Sequence, residues 1–343
     1  MGSIGTPLMW SLFAAVGVVA LLVDFFALSK QGAHRVSIRE ALIWSLIWVA
    51  VSGLFAAWLW WHRDTSPDPA MQAAANTKLL EFVTGYLVEK ALAVDNVFVF
   101  LMVFTYFAVP AEFQKRVLMI GILAALLLRA VMILIGAWVI ARFHWILYVF
   151  GAFLIFTGIK MWWATGQEPD LESNPALKWL RRRIHVAPDY DGEKFFTRVD
   201  GIRMATPLAL VVVLIGIVDV IFAVDSIPAI FAITLDPFIV LTSNVFAILG
   251  LRAMYFVLAG MHERFHLLSY GLALVLLFIG TKMLLIDLYK IPVVVSLAVT
   301  IGILAIAMIL SQIVPAEGRT GTAYPFARKR PSGEARADDG SGG

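Results

Sequence analysis

The chain has 343 residues, of which 61% are hydrophobic and only 15% charged, whereas soluble domains carry about a quarter charged residues. With a mean hydropathy of +0.86, that composition excludes an ordinary soluble enzyme and predicts an all-α polytopic membrane protein. Cysteine is absent, which removes disulfides, thiolate metal sites, iron–sulfur clusters and redox thiols together. A net charge of +3 belongs with the loops of such a chain and implies no nucleic acid as partner.

Residues 8–28 form the first apolar run. No Lys or Arg precedes it and no small-residue cleavage site follows, so it reads as a retained helix with its N-terminus outside. At about 20 apolar residues per crossing, further spans fall at 40–61, 79–108, 117–140, 145–163, 207–233, 238–260, 267–287 and 292–314, giving nine helices. The expected organisation is then two helices in 1–78, three in 79–163, a cytoplasmic loop at 164–206, three more in 207–287, a ninth in 288–314, and a polar, disordered cytoplasmic tail from 315 to 343. Cation counts support that orientation: 18 of the 27 Lys and Arg residues fall in segments it places in the cytoplasm, and four (Arg63, Lys78, Arg142 and Lys290) in outer loops. Inside the central loop, Asn174 and Pro175 cap a basic stretch, KWLRRRIH, suited to the membrane surface. After it, KFFTRV and IRMATP flank Asp200 and Gly201, the signature of a β-hairpin. Trp58, Trp60, Trp61, Trp162 and Trp163 fall at span ends, where interfacial belts are expected.

The chain repeats itself. AVDN at Asp95 matches AVDS at Asp225, LLRA at Arg129 matches GLRA at Arg252, RFHW at His144 matches RFHL at His266, and G-x-K-M recurs at Lys160 and Lys282. The order is the same in both copies, with an offset of 130 residues at the first pair and 123 or 122 at the rest. Each copy holds three helices, an odd number, so the copies enter the membrane from opposite sides. This is an inverted repeat of two three-helix units, the architecture in which secondary transporters place a site at the midplane.

Charges inside the spans then need a reason. Glu89, Asp95, Asp219 and Asp225 lie there with Lys90, Arg129 and Arg252, and each carboxylate costs about 2.5 to 3.5 kcal/mol at a helix centre. One reading is internal ion pairing for packing; the other is a cation pathway. The acid-x5-acid spacing recurs at the same place in each copy, and six residues put the two acids about 120° apart on a helix, facing different neighbours. Pro228 removes a donor and is expected to free carbonyls near Val224 and Asp225. Asn96, Ser226 and Asn244 either add neutral oxygen ligands or hydrogen-bond between helices. Carboxylate, amide and carbonyl oxygen, with no mid-span histidine, suit Mg²⁺, Ca²⁺ or Mn²⁺ and disfavour Cu⁺ and Zn²⁺. Composition does not choose among the hard cations. Asp24, near the cytoplasmic end of the first span, reads as snorkelling to the interface.

EKALAVDNVFVF at 89–100, DVIFAVDSIPAIFAIT at 219–234 and DPFIVLTSNVFAILGLRAMYF at 236–256 resemble the TerC family of bacterial integral membrane proteins, and its Alx branch most. The similarity runs from about residue 5 to 314. That resemblance implies an inner-membrane exporter of manganese, with Glu89, Asp95, Asn96, Asp219, Asp225 and Ser226 as the metal pathway. Gly216 departs from it, standing where close relatives usually have a glutamate. The expected function is export of Mn²⁺ by alternating access, in exchange for protons, with no covalently bound cofactor. The rival is a non-transporting scaffold that senses or delivers metal under metal or tellurite stress, its central loop docking protein partners. An enzyme is not expected, because no motif brings a nucleophile and a base together.

Overall fold

The computed structural model describes residues 3–29, 38–143, 145–164, 186–199, 201–259, 267–289 and 291–314. The surface helix expected at KWLRRRIH, His144, Asp200 and the tail from 315 lie outside the described residues. Ten helices and one hairpin are described: α1 (Pro7–Ser29), α2 (Ile38–Asp64), α3 (Pro69–Tyr106), α4 (Ala111–Arg142), α5 (Ile146–Ala164), β1 (Phe196–Val199), β2 (Ile202–Ala205), α6 (Pro207–Phe231), α7 (Pro237–Ile248), α8 (Leu251–Ala259), α9 (Leu268–Leu284) and α10 (Val293–Ile313).

Local chemistry sets several boundaries. Asp68 caps α3 by accepting from the Ala70 amide at 2.9 Å, and Asp236 caps α7 by accepting from the Phe238 amide at 3.1 Å. In both, proline follows at the first helical position, where its missing N–H costs nothing. The strands pair antiparallel with Val199 opposite Ile202, which leaves a two-residue turn whose Gly201 takes φ +80°, a conformation glycine adopts without a Cβ clash.

Among the described residues, five helices are long and apolar enough to cross a membrane: α2, α4, α5, α6 and α10. The α7 and α8 pair, bent by 43° at its break, passes the same test when the two are taken together as one broken span. Shorter apolar stretches continue over Pro7–Val23 of α1 and Leu268–Leu284 of α9. Helix α3, 38 residues long, instead interrupts its apolar sequence with Lys78, Glu81, Glu89, Lys90 and Asp95. Polar and apolar residues are distributed inside out: Leu54, Leu127 and Trp138 are 70%, 63% and 66% exposed, while Glu89, Arg129, Asp219 and Asn244 are at most 2% exposed. A chain whose outer surface is leucine and tryptophan and whose interior holds its charges is an integral membrane protein.

Small residues let the helices approach closely. Helices α5 and α9 run antiparallel: a Cβ on Gly280 would lie 2.7 Å from the Gly151 carbonyl oxygen, and one on Gly158 would lie 3.0 Å from the Ala273 carbonyl oxygen. Two further pairs run parallel. Gly85 of α3 meets Ser243 of α7, while Gly121 and Gly136 of α4 meet Ile215 and Phe231 of α6. An aromatic cluster from α1, α2, α3 and α7 closes the other side, with Phe55 and Phe246 at 4.6 Å and Trp10 and Phe238 at 4.9 Å between ring centres.

Candidate functional site

On α3, Glu89 and Asn96 are seven residues apart, and on α6 so are Asp219 and Ser226. Seven residues are nearly two full helical turns, so each acid shares a face with its amide or hydroxyl. Both faces meet Arg129 of α4. The guanidinium donates from Nε to Asp219 Oδ2 at 3.3 Å and from Nη2 to Asp219 Oδ1 at 3.1 Å. Its Nη1 donates to Glu89 Oε1 and, at 3.4 Å, to Ser226 Oγ. With its amide oriented to suit its neighbours, Asn96 accepts from Arg129 Nη2 at 3.2 Å and donates to the Leu92 carbonyl at 3.2 Å.

Four side chains from matching positions of the two sequence copies therefore converge on one buried cation. Two carboxylates share a single guanidinium, and the second oxygen of Glu89 has no hydrogen-bond partner among the described residues. Removing one partner of a buried ion pair typically costs about 3 to 5 kcal/mol, so the cluster is held together by the charges that make it expensive. The acid-x6-polar spacing was present in the sequence beside the acid-x5-acid one, and it is the signal that finds this face.

The other expected site residues lie elsewhere. Asp225 is half-buried and accepts from Thr157 Oγ1 of α5 at 3.1 Å, so the two acids of α6 face different helices, Asp219 toward α4 and Asp225 toward α5. The Asp95 side chain is outside the described part of the structure, as is that of Asp24. Asn244 of α7 is fully buried, and neither amide atom has a hydrogen-bond partner among the described residues. Arg252 is buried at the start of α8. No group of three or more Asp, Glu or His side chains able to hold a metal ion is found among the described residues, and Asp225 turns away from the Glu89 and Asp219 pair toward α5.

The backbone break is also in a different place from the one expected. Helix α6 continues through Pro228 to Phe231: the proline removes one hydrogen bond, the one its N–H would give the Val224 carbonyl, without ending the helix. The interruption falls instead between α7 and α8, where Gly250 takes φ +83° against the Trp48 side chain. There Lys90 of α3 donates from Nζ to the Ala247 carbonyl at 3.1 Å and the Leu249 carbonyl at 3.5 Å. A side chain of the first copy thus satisfies carbonyls at the break in the second. The matching position of α6 is Val220, and α4, which it would face, is unbroken.

Two polar layers bracket the cluster along α3. At one end Glu81 accepts from Lys78 at 2.8 Å and from Thr234 Oγ1 at 2.6 Å, while Asp236 accepts from the Ile4 amide at 3.0 Å. At the other the hairpin segment docks: Tyr190 donates to the Phe107 carbonyl at 2.7 Å, and Arg116 pairs with Glu193 at 2.8 Å. Burial pushes the Tyr190 phenol up to about 12. At 1.5 Å per residue Glu89 is about 12 Å from Glu81, and Asn96 about 16 Å from Phe107. The charged cluster lies between these two polar layers.

Residues 74–319 match the family described as the integral membrane protein TerC family. The chain belongs to the TerC family. Among curated relatives of this TerC protein, the "Putative membrane-bound redox modulator Alx" of Shigella flexneri and that of Escherichia coli K12 are each 53% identical over 91% of this chain and 96% of their own length. An uncharacterized membrane protein of Myxococcus xanthus, STKORF319, is 47% identical over 91% of this chain and 94% of its own. No solved structure matches significantly.

Proposed function

We propose that this TerC protein exports divalent manganese across the bacterial inner membrane by alternating access, with its N-terminus outside, its C-terminus in the cytoplasm and nine crossings. The observation that carries the reading is the excess of carboxylate at the centre of the helix bundle: Glu89 and Asp219 converge on one guanidinium with Asn96 and Ser226 beside them, and one Glu89 oxygen is left without a donor. A buried anionic oxygen with no donor demands a proton or a metal ion. Hard oxygen donors of this kind suit Mn²⁺. Asp95, Asp225 and Asn244 complete the proposed pathway, and carboxylates that bind metal when ionised carry protons when neutral, which supplies a coupling scheme.

The helix packing supports the inverted repeat of 79–163 and 207–287. The antiparallel contact of α5 with α9 is its own counterpart, since Gly151 on Gly280 becomes Ala273 on Gly158 when the copies are exchanged. To within one residue, Gly85 on Ser243 likewise exchanges with Ile215 on Gly121.

The Alx relatives are named for redox modulation, and a cysteine-free chain would exert such an effect through the metal it moves rather than through thiols. Purified protein in liposomes tests the reading. Manganese-dependent flux from the protein alone supports export; binding without flux supports instead a scaffold that senses or delivers metal, docking partners through the 164–206 loop.

A further inference from the structure

Arg129 makes contacts that a packing arginine does not need. A single carboxylate would neutralise it, yet its donors are spread over both acids and both neutral polar groups contributed by the two copies. Every oxygen a metal ion would take from Glu89, Asp219, Ser226 and Asn96 is within reach of the guanidinium, and only the second Glu89 oxygen is not. Two cations cannot hold the same carboxylate oxygens at once.

We infer that Arg129 is a tethered counter-cation: it occupies the carboxylates of the empty site, and an incoming metal ion displaces it. The inference rests on the manganese reading and deepens it by assigning the competitor. The unbonded Glu89 oxygen is the point of entry, where a metal ion binds before the guanidinium yields. When the ion departs, Arg129 re-covers the acids. The empty carrier then returns across the membrane with one excess carboxylate instead of two, so its reset needs one compensating proton rather than two.

Manganese binding to the full chain purified in detergent tests the assignment with three forms: native, Glu89→Gln, and Glu89→Gln with Arg129→Gln. Arg129→Gln alone leaves two buried acids without their cation and is expected to lower the yield of folded protein. The double variant avoids this, because one carboxylate with no guanidinium has the same excess charge as two with one. Glu89→Gln leaves Asp219 fully neutralised by Arg129, so manganese affinity is expected to fall at least about tenfold, and the double variant to recover to within about threefold of native, a coupling within the usual range for linked sites. Binding by the double variant no tighter than by Glu89→Gln, with both folded, would overturn the inference and make Arg129 a structural residue. Absence of manganese binding in all three forms would overturn the manganese reading and the inference with it.

Discussion

Replacing Lys90 by methionine removes the donor that holds the broken span. Of its two contacts only the one to the Ala247 carbonyl, at 3.1 Å, has ordinary hydrogen-bond length; the one to Leu249, at 3.5 Å, is marginal. A buried carbonyl left without a donor costs about 1 to 3 kcal/mol. Hydrogen bonds between helices in membranes average nearer 0.6 kcal/mol, roughly, because the loosened chain finds other partners. At the break there are few such partners, since α7 ends at Ile248 and Gly250 is covered by Trp48. Methionine fills much of the lysine volume, so the packing loss is small. The net effect is about 1 to 2 kcal/mol, a factor of about 5 to 30 in the population of the opened break. Hydrogen exchange followed by mass spectrometry reads this directly, through the Leu249 amide bonded to Val245 and the Met254 amide bonded to Gly250, both at 2.9 Å. Exchange in 245–254 is expected to quicken by that factor while α5 and α9 stay unchanged. Equal exchange in the two proteins would refute the claim that Lys90 pins the break.

Asp95→Asn and Asp225→Asn are each expected to abolish manganese tolerance while the protein stays in the membrane, since neutralisation lowers the insertion cost; full flux in both would make these acids structural. Gly216→Glu has room, because a Cβ there meets no atom within 4 Å, and it places a second acid one turn from Asp219. Tighter manganese binding and a flux that rises or becomes more pH-dependent are expected, and an unchanged pH profile would put position 216 off the pathway. Gly280→Ala brings a Cβ to 2.7 Å from the Gly151 carbonyl oxygen and 2.8 Å from Ile155. Overpacking of about 1 to 3 kcal/mol should lower the melting temperature in detergent, and an unaltered melting curve would contradict the close α5 to α9 contact.

The all-α membrane class was legible from the chain because its causes are local. Hydropathy along each run and the Asp200 and Gly201 turn signal between two short strands act over a few residues, and helical period alone placed Asp219 and Asp225 on different faces. The TerC family was legible from the motifs around Asp95 and Asp225. Tertiary structure decided what each charged face meets. Nothing within α3 or α6 says that Arg129 of α4 would take both acids and both neutral partners, since that depends on how far three helices slide and rotate against one another, and this is set by Gly121, Gly136 and their neighbours across the interface. The break was decided in the same way. Pro228 marks a lost hydrogen bond in any context, yet α6 continues past it to Phe231, whereas at the break by Gly250 the freed carbonyls find their donor in Lys90 from another helix.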